Sequence, residues 1–312
     1  MFRFGSKYEL IVGVPYQIDK GNVDQLFTIT NEFTLKDNQV IFKVDRSNSS
    51  SPNTGEIVVY NAPRELIGLM KKNQGKLPIL SLKAGFDTDA VLPELFKGVV
   101  ESVKETDNGV NHMLSMKLSD GGSNVREYTT KRTYRKGTNV DTIVEELIED
   151  SGLAIGPIYK LNKQIASPKS FSGSAHTHLR AIAELYGLNF SIQNGLATLV
   201  PSFAGTSAEV VEVNVDTGMV GSPSLGTTPA NLSKDGTIPK EGFKVKTLMN
   251  GNIVPENFVK ITSEEVNGTY KVESVKHVGD YEGNAWFSIF TCKPTEFTIT
   301  NYNIPIPYRG ES

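Results

Sequence analysis

The chain has 312 residues, 38% hydrophobic and 21% charged, with 32 basic against 35 acidic side chains and a net charge of −3. No run approaches the roughly 20 apolar residues that a membrane-spanning helix requires, and the interspersed charges leave no electrostatic footprint for wrapping nucleic acid. The single cysteine, Cys292, excludes an intrachain disulfide and a cysteine-rich zinc site. At this length two or three compact units are expected. The apolar run from Leu10 to Val14 is too short for a secretory signal, so the mature chain is expected to begin near Met1 and to fold in a cytosolic compartment.

The segment to about Thr106 reads as strands: Tyr8 to Val14, Phe27 to Thr30, Gln39 to Val44, Glu56 to Tyr60, Ile79 to Lys83 and Phe96 to Val103. Alternation such as Val40, Phe42 and Val44 predicts a sheet with one wet face. Asp45 to Gly55 (DRSNSSSPNTG) is rich in turn formers and is expected to be a mobile polar tip. Pro63, then Leu66, Ile67 and Met70 at helical spacing, then Gly75, predict one short helix. Met113 to Leu118 and Val125 to Thr133 flank Asp120-Gly121-Gly122 and read as a hairpin.

The pattern changes at Lys136. Thr138 is placed to cap a helix on which Val140, Ile143, Val144, Leu147 and Ile148 share a face, with Gly152 as its stop. A second helix runs from Ser174, with Leu179, Ile182, Ala183 and Tyr186 on one face and Gly187 after its end. Leu188 to Ile192 and Leu196 to Val200 form a hairpin across Asn194-Gly195, a strong short hairpin signal. From Pro201 to Pro239 the sequence turns to Ser, Thr, Gly and Pro, a linker or surface excursion with one strand candidate, Glu209 to Val215. Two patterned β-arms follow, Phe243 to Ile261 and Thr269 to Cys292, and the chain ends in a proline-extended tail.

Chemistry is sparse. His176 and His178 lie on a predicted helix, where residues two apart point in different directions, so they are read as polar helix residues. His277, beside Asp280, is read as a turn-end histidine bonded to backbone. Lys131, Arg132, Arg135 and Lys136 suggest a solvated loop or a protein contact, and Glu145, Glu146, Glu149 and Asp150 a solvated helix face. Cys292 is expected to be a small buried hydrophobe. Trp286, Tyr270 and Tyr281 alternate in strands, which favours core over a glycan-binding surface. No nucleotide-binding, hydrolase or metalloprotease motif occurs, so no catalytic residue, cofactor or metal is assigned.

The series of modules carries a resemblance. GTNVDTIVEELIEDSGL, SFSGSAHTHLRAIAELYGLNFSIQNGLATLVPS and GTYKVESVKHVGDYEGNAWFSIF, in this order after a β-rich start, resemble the baseplate hub proteins of contractile-tailed bacteriophages, the late-control protein D family and the N-terminal part of type VI secretion spike proteins. The resemblance implies a mainly β fold with a small α+β module. It divides the chain into a tube-like β-barrel (1–106), strands completing a barrel (107–135), the two-helix and hairpin module (136–205), a second tube-like barrel (206–296) and an extended arm (297–312). Whether the two barrels are continuous in sequence stays open. It also implies a non-enzymatic homotrimer, a ring joining the sixfold tail tube to the threefold central spike and touching other baseplate (wedge) proteins. Its place would be the virion, after assembly in the host cytoplasm. DNA would pass through the lumen without specific binding, and nothing would insert into a membrane. The arm, through Phe297, Ile299, Tyr302, Ile304, Ile306 and Tyr308, is the candidate partner interface. The alternatives are a tail-associated peptidoglycan hydrolase using Glu145 or Glu149, a hexameric distal tail or tube protein, and a carbohydrate-binding module.

Overall fold

The computed structural model describes residues 5–15, 29–73, 78–107, 109–120, 128–201, 203–207, 209–226 and 242–294. The arm at 297–312, with all six of its candidate interface residues, lies outside the described residues, as do Gly75 and the Gly121-Gly122 turn.

The fold is mainly β with a small α+β module. The first lobe comprises β1 (Ser6–Pro15), β2 (Ile29–Leu35), β3 (Val40–Ser47), β4 (Thr54–Tyr60), helix α1 (Arg64–Lys72), β5 (Ile79–Phe86), β6 (Glu94–Asp107) and β7 (His112–Ser119). Between the lobes come β8 (Thr129–Tyr134), α2 (Val140–Asp150), β9 (Ala154–Ile158), β10 (Lys169–Ser174), α3 (Ala175–Tyr186), β11 (Leu188–Gln193) and β12 (Leu196–Pro201). The closing lobe holds β13 (Val210–Val213), β14 (Ser224–Gly226), β15 (Gly242–Leu248), β16 (Phe258–Thr262), β17 (Asn267–Asp280) and β18 (Trp286–Pro294).

The expected closed barrels are absent from the described sheets. Instead one 13-stranded sheet runs β14-β15-β18-β17-β3-β4-β7-β6-β5-β1-β2, with β16 and β13 branching from β17. The 14-residue β17 makes this possible: Asn267 to Lys271 pair with β16, and Ser274 to Asp280 pair with β3 of the first lobe. Alternation specifies which face of a strand is buried, not which strand lies beside it, so the joined sheet was invisible in the pattern.

Three apolar cores result. Tyr8, Leu10, Phe42, Leu82 and Phe96 anchor the first, which also takes Met249 and Trp286 from the closing lobe. The second lies under α2 and α3, and the third is built from Val245, Val259, Val272, Phe290 and Cys292 among others. On α2 the predicted face, Val140, Ile143, Val144, Leu147 and Ile148, is buried throughout.

Asn139, not Thr138, caps α2: its Oδ1 accepts from Asp141 N at 2.9 Å, while Thr138 donates to Arg135 O. Asn139→Ala is expected to cost about 1 kcal/mol, read as a lowered urea midpoint. The hairpin expected across Asp120 does not form, because β7 is flanked by β4 and β6 whereas β8 pairs with β10 in a separate two-stranded sheet. The strand expected over Phe27 to Thr30 is described from Ile29 to Leu35. The turn at Asn194 and Gly195 has φ of 52° and 81°, positive at both positions as a two-residue hairpin of this kind requires.

Candidate functional site

The Asn194-Gly195 hairpin is a plug. Its tip enters the end of the large sheet and is held there by side chains of β3 and β6 and by Asn53 and Asp120, which lie just before β4 and just after β7. Gln193 Oε1 accepts from Arg46 Nη2 at 3.1 Å and from Asn53 Nδ2 at 3.2 Å, and its Nε2 donates to Ser47 O at 2.7 Å. Asn194 donates through its side chain to Glu94 at 3.1 Å and accepts from Lys97 N at 3.2 Å. Beneath the tip, Asp120 accepts from Asn53 N (2.8 Å), Asn53 Nδ2 (2.7 Å) and Asn194 N (2.9 Å).

Arg46, Asn53 and Asp120 are all buried. Burial pushes the Asp120 carboxyl up to about 6, against its three hydrogen bonds and the Arg46 charge, which favour ionisation. Burial likewise lowers the Arg46 guanidinium, with Asp120 and Glu94 opposing. Asp45 to Gly55 is therefore not a mobile tip: β3 runs through Arg46 to Ser47, β4 begins at Thr54, and Asn53 lies inside the joint. A second buried polar contact secures the module's exit, where Lys271 pairs with Glu256 and donates to Ala204 O at 2.7 Å. Asn189 reaches the same Glu256, whose φ is 70°.

The sequence candidates separate around this joint. His176 is buried rather than surface-polar, its Nε2 lying 2.6 Å from Ser50 O, which ties α3 to the β3–β4 loop. His178, on the same helix, reaches Ser172 O at 3.0 Å instead. His277 sits mid-strand in β17, fully buried, with Nδ1 at 2.8 Å from the Ser288 hydroxyl, so it is neither at a turn nor backbone-bonded. Burial, helped by the Arg46 charge, pushes it down to about 3 and keeps it neutral. Among the described residues no cluster of three or more metal-ligating side chains occurs.

The basic run is not a loop at Arg132. That side chain lies on β8 and forks onto Asp150 at 2.6 and 2.8 Å while reaching Glu146 at 2.8 Å. Glu145 pairs with Lys160. Trp286 is buried in the first core, where its indole donates to Gly85 O at 2.8 Å. Cys292 is buried, and burial pushes its thiol up to about 12. It should therefore stay unreacted toward a thiol-specific reagent at pH 8 for as long as the chain is folded, and be labelled once urea unfolds it.

Asp120, Asn53, Gln193, Arg46 and Glu94 carry no common signature in the sequence because their partners lie far along the chain. Asn53 and Asp120 are 67 residues apart, Arg46 and Gln193 147. The one available signal is Gln193 and Asn194, polar residues at the tip of a largely buried hairpin.

A plugged, two-lobed β chain is a scaffold in which buried polar groups fix one module against another. No protein-family model matches the sequence, and no curated protein matches it. Solved structures do match. A tail protein from Neisseria meningitidis MC58 superposes with a TM-score of 0.61 at 12% identity, over 93% of this chain and 97% of that one. The 43 kDa tail protein of prophage MuSo2 from Shewanella oneidensis gives 0.57 at 8% identity, over 91% and 98%. The E. coli c3393 protein is a component of the type VI secretion system with structural similarity to the T4 bacteriophage tail proteins gp27 and gp5. It gives 0.53 at 12% identity, over 88% and 76%. The chain thus has the fold found in phage tail proteins, along nearly its whole described length.

Proposed function

We propose that this chain is a structural subunit of a phage tail baseplate, and within it the hub: a homotrimeric ring that joins the sixfold tail tube to the threefold central spike. The observation that carries the reading is the whole-chain match in fold to tail proteins, with both β lobes and the plugged module included. Its likeness to a type VI secretion component related to T4 tail proteins supports the hub position. The arm at 297–312 lies on a neighbouring subunit or baseplate partner by strand addition, through Phe297, Ile299, Tyr302, Ile304, Ile306 and Tyr308.

The reading is non-enzymatic. Glu145 and Glu149, the residues of the hydrolase alternative, face Lys160 and Arg132 on the outside of α2. Trp286, needed as a platform by the carbohydrate-binding alternative, is buried. Zymography on cell-wall material is expected to give no clearing at any pH.

Light scattering should report a particle of three 34.1 kDa subunits, alone or on mixing with the cognate spike protein, and electron microscopy a threefold ring. A chain that stays monomeric in both settings overturns the hub reading. A sixfold ring would replace it with a tube or distal tail protein.

A further inference from the structure

Two surfaces, one where the lobes meet and one on the closing lobe, are complementary in charge. The first is a groove of about 510 Å³ between the β3–β4 loop and the outer face of β15, β18, β17 and β3. Strand register sets its floor in two rows, Lys244 beside Thr291, Ser274 and Ser47, then Ile289 beside Lys276 and Asp45, and Lys246 continues the second row outside the groove. Residues paired in register share a face. Lys43 completes the patch, and Lys43 and Lys276 both lean on the one Asp45, at 3.6 and 3.5 Å. Lys246 lies 4.0 Å over the Phe287 ring, and Lys244 has no carboxylate partner among the described residues. Four lysines thus face Asp45 and, one row on, Glu56, on a chain whose net charge is negative.

The second surface is the free edge of β13, which pairs only with β16 among the described strands. Glu209, Glu212, Asp216, Glu264 and Glu265 are all exposed on β13, its flanks and the β16–β17 turn, with Lys260 the basic residue among them. Val215, next to Asp216, is 75% exposed, which gives this acidic edge an apolar contact point.

We propose that the acidic β13 edge of one copy of this chain seats in the lysine groove of the next. The occupant is a second copy because the chain carries both complementary surfaces, and the contact joins unlike patches, so it repeats head to tail and can close as a ring. Opposite potentials would set register and speed encounter, while like charges brought together there would be strongly disfavoured. The inference rests on the homotrimer proposed above and assigns it a seam.

The test uses the full-length chain and analytical ultracentrifugation. Lys244→Glu with Lys276→Glu should weaken assembly at least about tenfold, and so should Glu264→Lys with Glu265→Lys. All four changes in one chain should restore it, and raised salt should weaken the wild type. Far-ultraviolet circular dichroism and unchanged urea midpoints establish that each variant is folded. As an independent measurement, Lys244→Cys with Glu265→Cys should yield oxidant-dependent covalent oligomers, Cys292 being buried. If wild type and both charge-reversed chains form equally stable trimers and no crosslink appears, this seam is wrong while the trimer stands. A wild type that stays monomeric both alone and with the cognate spike protein overturns both.

Discussion

Asp120→Ala should lower the stability of the folded chain by about 3–5 kcal/mol at neutral pH, the cost of breaking a buried charged network from one side. Removing the carboxylate orphans the backbone N–H groups of Asn53 and Asn194, takes one of its acceptors from Asn53 Nδ2, and leaves the buried Arg46 with Glu94 but without its other nearby counter-charge. Each orphaned donor costs its desolvation, on the order of 1–3 kcal/mol, partly relieved where water enters the space left. Urea unfolding followed by circular dichroism measures the loss. A change below about 1 kcal/mol would mean that the Asp120 carboxylate adds little to what the other contacts of Gln193 and Asn194 already hold.

The same residue predicts a direction in pH. Asp120 has its folded value raised from 3.8 to about 6, so the folded state holds this proton more tightly than the unfolded chain. Its contribution to stability is complete below the ordinary value and is lost as pH rises through 6. Asp120→Asn removes that titration. The stability of wild type relative to Asp120→Asn should therefore fall between pH 4 and pH 7 by roughly 2–3 kcal/mol. His277 acts in the opposite sense: its folded value near 3 lies below the ordinary 6.5, so the stability that its neutral form contributes is present above 6.5 and is lost as pH falls toward 3. Comparing the two Asp120 forms at each pH cancels the histidine.

What could be read from the sequence follows the range over which each signal acts. Both module helices, their apolar faces and the stop at Gly187 are written in residues within a turn or two of each other. The Asn194-Gly195 hairpin is likewise local. The joint it fills is not: a polar loop such as Asp45 to Gly55 looks the same whether water or a hairpin tip satisfies it, and only the tertiary fold brings Gln193 to Asn53. The parallel pairing of β9 with β12 and the short β10 escaped for a related reason. Neither alternates strongly, and each is specified by what lies beside it. The merging of two expected barrels into one sheet depends on β17 being long enough to serve both lobes, a property of length rather than of pattern.

Trp286→Ala is expected to cost a similar amount, about 3–5 kcal/mol, by leaving a large cavity where the lobes interlock. Trp286 is the only tryptophan in the chain. Although it begins β18 of the closing lobe, its ring belongs to the first core, edge-on to Phe42 at 5.3 Å between centroids. Gly279, its partner in register, leaves the space that Phe42 fills: a Cβ there would lie 2.2 Å from the Phe42 ring. The indole N–H meanwhile satisfies the Gly85 carbonyl, 201 residues away. Trp286→Phe separates the two contributions, since it keeps most of the apolar area but leaves that carbonyl without its donor, and should cost about 1–3 kcal/mol. Wild-type unfolding can be followed by the fluorescence of this one residue, and both variants by circular dichroism. If the lobes are coupled through Trp286, Trp286→Ala should also broaden the transition, because the closing lobe, with its own core of Val245, Val272 and Phe290, can then unfold out of step with the first. A single sharp transition at an unchanged midpoint would remove the indole from the joint and leave the β3–β17 strand pairing as what couples the lobes.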